Sequence, residues 1–118
     1  MKIITIKELL DAEVLCHEDR LGCHVYSACS SDMMSNVLAY VSEEAVLLTG
    51  LINPQVVRTA EMMDMVCIVF IKGKGPTQEM IDLAEELGIV LMSTQKTMFD
   101  ACGILYENGL RGKGENRS

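Results

Sequence analysis

Four times along this 118-residue chain a short run of β-branched and aliphatic residues ends in a cluster of Ser, Thr, Asn, Asp, Gly or Lys. Each cluster is followed by a stretch with helical periodicity. The runs end near residues 28, 49, 71 and 92. Strands that alternate with helices need crossover connections, which join parallel strands. The chain is therefore read as α/β, with a largely parallel sheet of about four to five strands under covering helices. One domain is expected over residues 1–110, with a mobile C-terminal tail over 111–118.

The elements follow from local chemistry. Thr5 is read as the cap of a helix over 6–12, before a strand over 13–17. The run over 23–28 is strand-like, and Ser30 or Ser31 caps a helix with Met33, Met34, Val37, Leu38 and Val41 on one face. A buried strand over 45–49 ends at Gly50. Asn53 and Pro54 read as N-cap and first helical residue, with Val56, Val57, Ala60 and Met63 as the buried stripe. Residues 66–71 are apolar on both faces and read as a central parallel strand. Thr77 starts a helix with Met80, Ile81, Ala84 and Leu87 inward, and Gly88 stops it. After a strand over 89–92, Ser93 or Thr94 is read as the cap of a last helix. Its expected inner face is Met98, Phe99, Cys102, Leu105 and Tyr106, and Gly109 ends it.

Hydrophobic residues are 49% of the chain, aromatics only 4%, and there is no Trp. The core must then be aliphatic, with the nine Met filling gaps or lining adaptable surfaces. The formal net charge is −7, and the tail adds Arg111, Lys113 and Arg117, so the body is more acidic still. Such a surface repels phosphate backbones and argues against nucleic-acid binding. No stretch is long enough for a membrane span. Lys7 and Glu8 interrupt the first apolar segment, so no signal peptide is read and a cytoplasmic location is expected. The five Cys, at 16, 23, 29, 67 and 102, form an odd set and are read as free thiols in a reducing compartment.

Catalytic signatures are missing. Lys72-Gly73-Lys74-Gly75 lacks both the first Gly of a phosphate-binding loop and the hydroxyl after its Lys. Neither G-x-G-x-x-G nor G-x-S-x-G occurs. Cys16-His17, Cys23-His24 and Cys29 are the residue types of a zinc site or a thiol-based redox sensor, but their spacing fits no metal motif. Alternation along a strand would also send Cys23 and His24 to opposite faces. Buried small hydrophobes are the simpler reading of the five thiols. Asp32, Asp64 and Asp100 have no partner by spacing. No metal and no cofactor are expected.

Ligands of parallel sheets settle at the carboxyl ends of the strands, against helix N-termini. The turns over 28–32, 49–53, 72–77 and 93–95 are polar and share one sheet edge. Each residue there reads first as a cap, and together they read as a small-ligand site. Ser30, Asp32, Thr49, Gly50, Asn53, Lys72 and Thr94 are the candidate binding residues, with Lys72 and Lys74 able to neutralise an anion.

Several segments carry a resemblance. Ser-Ser-Asp-Met-Met-Ser-Asn-Val (30–37), Leu-Leu-Thr-Gly (47–50), Asn-Pro-Gln-Val-Val-Arg-Thr-Ala (53–60) and Phe-Ile-Lys-Gly-Lys-Gly-Pro (70–76) resemble a small stand-alone DRTGG-domain protein. Ser-Thr (93–94) and Met-Phe-Asp-Ala-Cys-Gly-Ile-Leu-Tyr (98–106) extend the likeness from about residue 5 to 110. The letters that give the family its name are not kept, since the corresponding stretch reads Gly22-Cys23-His24-Val25-Tyr26-Ser27-Ala28. The resemblance implies a fold similar to the N-terminal domain of HPr kinase/phosphatase, without that enzyme's catalytic domain. It also implies the regulatory role that such domains have beside CBS modules in pyrophosphatases and within long phosphotransacetylases. Homodimers, and an accessory role near hydrogenase and redox enzymes of anaerobic bacteria, are further implications.

The leading expectation is a non-enzymatic regulatory or sensory domain that binds a small polar or anionic ligand, a nucleotide among the candidates, at the strand-to-helix turns. One alternative is an interaction or accessory subunit of a redox complex, using the Met-rich helix and Met62, Met63 and Met65. The other is a metal- or thiol-based redox sensor built on Cys16, Cys23 and Cys29.

Overall fold

The computed structural model describes residues 1–37 and 44–112. Leu38 and Val41 of the expected Met-rich helix, the side chain of Val37, and the tail beyond Gly112 lie outside the described residues. The sheet has five strands: β1 (Glu13–Cys16), β2 (Ser27–Ser30), β3 (Ala45–Thr49), β4 (Cys67–Phe70) and β5 (Val90–Ser93). Their spatial order is β1-β5-β4-β3-β2. Strands β2 to β5 are parallel, and β1 closes the far edge antiparallel to β5 with an irregularity between Val14 and Cys16.

Two cores lie on the two sheet faces. Successive strand residues point to opposite sides, so Val46, Leu48, Val69, Val90 and Met92 meet α1 (Ile3–Leu10) and α5 (Met98–Glu107). Ala45, Leu47, Ile68, Phe70 and Leu91 meet α3 (Pro54–Met62) and α4 (Gln78–Leu87) on the other side. A single-turn helix, α2 (Met34–Val37), packs near α3. β4 is the middle strand and wholly buried, which explains why its sequence is apolar at every position. Among the described residues no helix is long and apolar enough to cross a membrane.

Helices α3 and α4 start as their sequences dictate. Asn53 Oδ1 accepts from Gln55 N and Thr77 Oγ1 from Met80 N, and Gly88 ends α4 in the left-handed region. Helix α1 departs from the reading. It starts at Ile3 after Lys2, and Thr5 lies inside it. Its first amides are satisfied from outside: Ile3 N donates to Cys23 O and Ile4 N to Leu21 O. Residues 21–25 therefore serve as a partner for the start of α1, with an antiparallel bridge between Lys2 and His24 and a bond from Val25 N to Met1 O beside these two. Strand β2 begins only at Ser27.

Helix α5 also differs. Thr97, not Ser93 or Thr94, is its cap, accepting from Asp100 N. Ala101 and Leu105 are its buried residues, whereas Phe99 is 87% and Tyr106 53% exposed. At about 100° of arc per residue, Phe99 stands nearly opposite Ala101 and cannot share its face. Leu87, expected inward, does share the Met80–Ala84 side of α4, but as the last residue of the helix, beside an open depression, it is partly exposed. At the end of the described chain, Arg111 O accepts from Ala28 N, pairing with the outer edge of β2.

Candidate functional site

A doubly wound sheet opens a crevice where its strand order reverses. Here β2, β3, β4 and β5 follow one another without reversal, so neighbouring strand ends stay in direct contact. Their turns are tied together by hydrogen bonds.

Asp32 is the centre of that tie. Its Oδ1 accepts from Thr49 Oγ1 at 2.9 Å and from Gly50 N at 2.7 Å. The Thr49 hydroxyl is fully buried and also accepts from Leu51 N. A hydroxyl that must both give and take is fixed in orientation. Lys74 Nζ donates to Gly50 O at 3.2 Å, and Ser93 Oγ donates to Lys74 O at 2.7 Å. Asp32, Thr49, Gly50 and Lys74 thus join the first three turns, and Ser93 holds the third to the fourth.

The Lys72 turn is shaped by backbone. Lys72 and Gly73 both have positive φ, and Gly73 N donates to Thr94 O. A Cβ at Gly73 would lie 2.6 Å from the Gln95 amide oxygen, the tip of an exposed side chain that can move aside, so the positive φ is what favours glycine there. The turn leaves the side chains of Lys72 and Lys74 exposed on the edge, next to the N-terminal ends of α3 and α4. Those ends carry partial positive charge. The edge thus carries two exposed ammonium groups on an acidic chain, with the Asp32 carboxylate tied into the turns and Glu79 in the first turn of α4.

The other sequence-predicted residues separate from this group. Asn53 is occupied as the cap of α3. Thr94 is 1% exposed and its hydroxyl donates to Leu10 O at 2.6 Å, which removes it from any exposed surface. Ser30 lines a different cavity of about 130 Å³, between β2 and α5, with Cys29, Cys102, Leu48 and Arg111. Lys74, a neutralising charge by sequence, has a structural partner as well. Its side chain reaches back 24 residues to Gly50, a long-range contact that local spacing does not announce.

The Cys and His residues are dispersed. His17 Nε2 lies 2.9 Å from Glu85 O and 3.2 Å from Ala84 O, so it is the donor that satisfies the last turn of α4. His24 is exposed and stacks beside Tyr26. Cys23 is exposed rather than buried. Burial pushes the Cys16 thiol up to about 11, helped by the Glu85 and Asp19 carboxylates. Burial also raises Cys29, with Cys102 adding to it, and raises Cys67. These three thiols stay protonated at neutral pH, the opposite of what an activated cysteine needs. Among the described residues no group of three or more His, Cys, Asp or Glu could hold a metal ion.

A broader depression of about 640 Å³ lies at the opposite, amino-terminal edge of the strands, where Arg20, Glu44, Glu61 and Asp64 meet.

Comparison with known proteins agrees with this architecture. The fold is similar to the CBS and DRTGG domains of the regulatory region of Clostridium perfringens pyrophosphatase, solved as a complex with the activator diadenosine tetraphosphate. The TM-score is 0.70 at 19% sequence identity, over 88% of this chain and 45% of that one. This chain therefore spans less than half the length of that neighbour. Among curated proteins no sequence matches this chain. The description of the DRTGG domain matches residues 5–107, nearly the whole chain. The chain belongs to the DRTGG-domain family.

Proposed function

We propose that this chain is a regulatory module, without catalysis of its own, that binds a small anionic metabolite at the carboxyl ends of its parallel strands. The observation that carries this reading is the joining of three turns through Gly50, whose N donates to Asp32 and whose O accepts from Lys74, with Thr49 also donating to Asp32. The Lys72 and Lys74 ammonium groups would receive phosphate or carboxylate oxygens, supported by the N-terminal ends of α3 and α4. Asp32, fixed by Thr49 and Gly50, would accept from a sugar or base donor. A nucleotide fits this pairing of charges. The likeness to a regulatory region solved with a dinucleotide activator supports the class of ligand, although that structure holds CBS domains as well. Action in the cytoplasm of a bacterium, as a homodimer, is part of the same reading.

Thermal-shift measurements with AMP, ADP, ATP, diadenosine tetraphosphate and acetyl phosphate test it. A ligand at 100-fold its Kd adds about 2.7 kcal/mol to the stability of the folded state, a shift of several degrees. The gain is expected to fall at high salt and to vanish in Lys74→Ala. A melting temperature unmoved by all of these compounds would remove the reading.

A second reading, an accessory subunit that docks on another protein, is favoured by the exposure of Met33 (61%), Met62 (64%) and Phe99 (87%). Met65, by contrast, is buried and takes no part in such a surface.

A further inference from the structure

The gap between β2 and α5 holds a small cavity of about 130 Å³ with an apolar wall. Leu48, Leu105 and Leu110, all buried, form that wall together with Ala28, and Ser30 and Arg111 line it as well. Among the described residues no Asp or Glu lines it, although Asp and Glu outnumber Lys and Arg by 17 to 10 over the chain. None of Asp32, Thr49, Gly50, Lys72 and Lys74 lines it either, so it is separate from the strand-end turns.

Arg111 is held in place there. Its Nη1 donates to the carbonyls of Tyr106 and Leu110, and its guanidinium lies over the Tyr106 ring, 3.8 Å from the centroid. A guanidinium has five N–H donors in a rigid plane, and these contacts engage only the Nη1 end and one face. The Nε–Nη2 edge, with two parallel N–H groups, has no partner among the described residues, and Arg111 forms no ion pair among them. The Ser30 hydroxyl also has no hydrogen bond among the described residues.

Two parallel N–H groups match the two oxygens of a carboxylate. A fixed cation beside an apolar space selects an anion with an apolar tail, because the walls offer nothing to the further oxygens of a phosphate ester. Size sets the tail. A cavity of about 150 Å³ holds benzene, so this one takes a chain of about four carbons. We propose that the cavity between β2 and α5 binds a short-chain carboxylate of the size of valerate. Its oxygens lie on the Nε–Nη2 edge of Arg111, with the Ser30 hydroxyl as a third donor, and its tail lies against Leu48, Leu105 and Leu110.

An NMR titration of the 15N-labelled full chain with sodium valerate tests the proposal. The amides of Ser30, Cys102, Leu110, Arg111 and Gly112 should shift together and saturate at millimolar valerate. Methyl valerate keeps the tail and removes the charge, whereas acetate keeps the charge and removes most of the tail. Each should bind more weakly than valerate by about 10-fold or more, because each loses one half of the recognition. Arg111→Lys keeps the charge but not the fork, and should weaken valerate by about 10-fold or more. Ala28→Val, a residue type that strands favour, takes up part of the cavity and should have the same effect. The ligand series needs no variant, so it decides the matter even where a substitution disturbs the packing. No saturable shift with valerate overturns the proposal, as does unchanged affinity in folded Arg111→Lys. Methyl valerate binding as tightly as valerate would make the cavity an apolar void only, and acetate binding as tightly would leave the tail without a role. Either result overturns the proposal. Shifts confined to Asp32, Gly50 and Lys74 would move the carboxylate to the strand-end turns and overturn it equally.

Discussion

Thr94 has a hydroxyl inside a hydrophobic layer, and such a group needs an acceptor. It finds the carbonyl of Leu10, 84 residues earlier in the chain, and accepts from Lys96 N in return. The bond closes the end of α1 onto the end of β5. Replacement by the isosteric Val leaves Leu10 O and Lys96 N without that partner in a dry site. Thr94→Val should therefore destabilise the fold by about 1–3 kcal/mol, read as a lower urea midpoint with unchanged m value. A wild-type midpoint would mean that the hydroxyl is not structural and would return Thr94 to the ligand surface. The type of residue at 94 is legible from sequence, but its partner is not. A Ser-Thr pair after a strand looks like a cap, and only the packing of α1 over the sheet edge shows otherwise. Asp32 was legible as a turn residue in the same incomplete way. Its acceptor role toward Thr49 and Gly50 depends on β2 and β3 being neighbours in parallel register.

Helix boundaries were legible where the cap is local. Asn53-Pro54 and Thr77 start their helices as the residue types require. Helix α1 was not, since the carbonyls of Leu21 and Cys23 do for it what a side chain does elsewhere. Helix α5 has a local cap that was placed too early. Thr97 Oγ1 accepts from Asp100 N, and Asp100 adds a negative charge to the first turn. Thr97→Ala should cost about 1 kcal/mol, seen as a lower melting temperature and faster amide exchange in the first turn of α5. Unchanged exchange there would mean that the helix is held by Ala101 and Leu105 alone. The inward face of α5 was misjudged because the helix has apolar residues on two sides, and a periodic pattern does not say which side the sheet takes. Ala101 and Leu105 meet the sheet, and the larger Phe99 and Tyr106 face outward.

At the scale of the molecule, the repeated run-turn-helix pattern made the α/β class and the middle position of β4 legible. The order of the strands was not, because connection lengths alike in sequence allow either side of a strand. The order without reversal is what governs the functional edge. It forms no switch-point crevice, and instead lays consecutive turns side by side so that Asp32, Gly50 and Lys74 touch. The antiparallel β1, and the Arg111 carbonyl on the edge of β2, close the two sides of the sheet and leave the ends of the strands as its polar surface. An NMR titration of the 15N-labelled chain with the nucleotides and acetyl phosphate tests the central claim most directly. The account predicts that the amides of Asp32, Gly50, Leu51, Lys72 and Lys74 shift together and saturably, and that Lys74→Ala abolishes the response. Shifts confined to the amino-terminal edge around Arg20 and Glu61, or no shifts with any of the compounds, would contradict it.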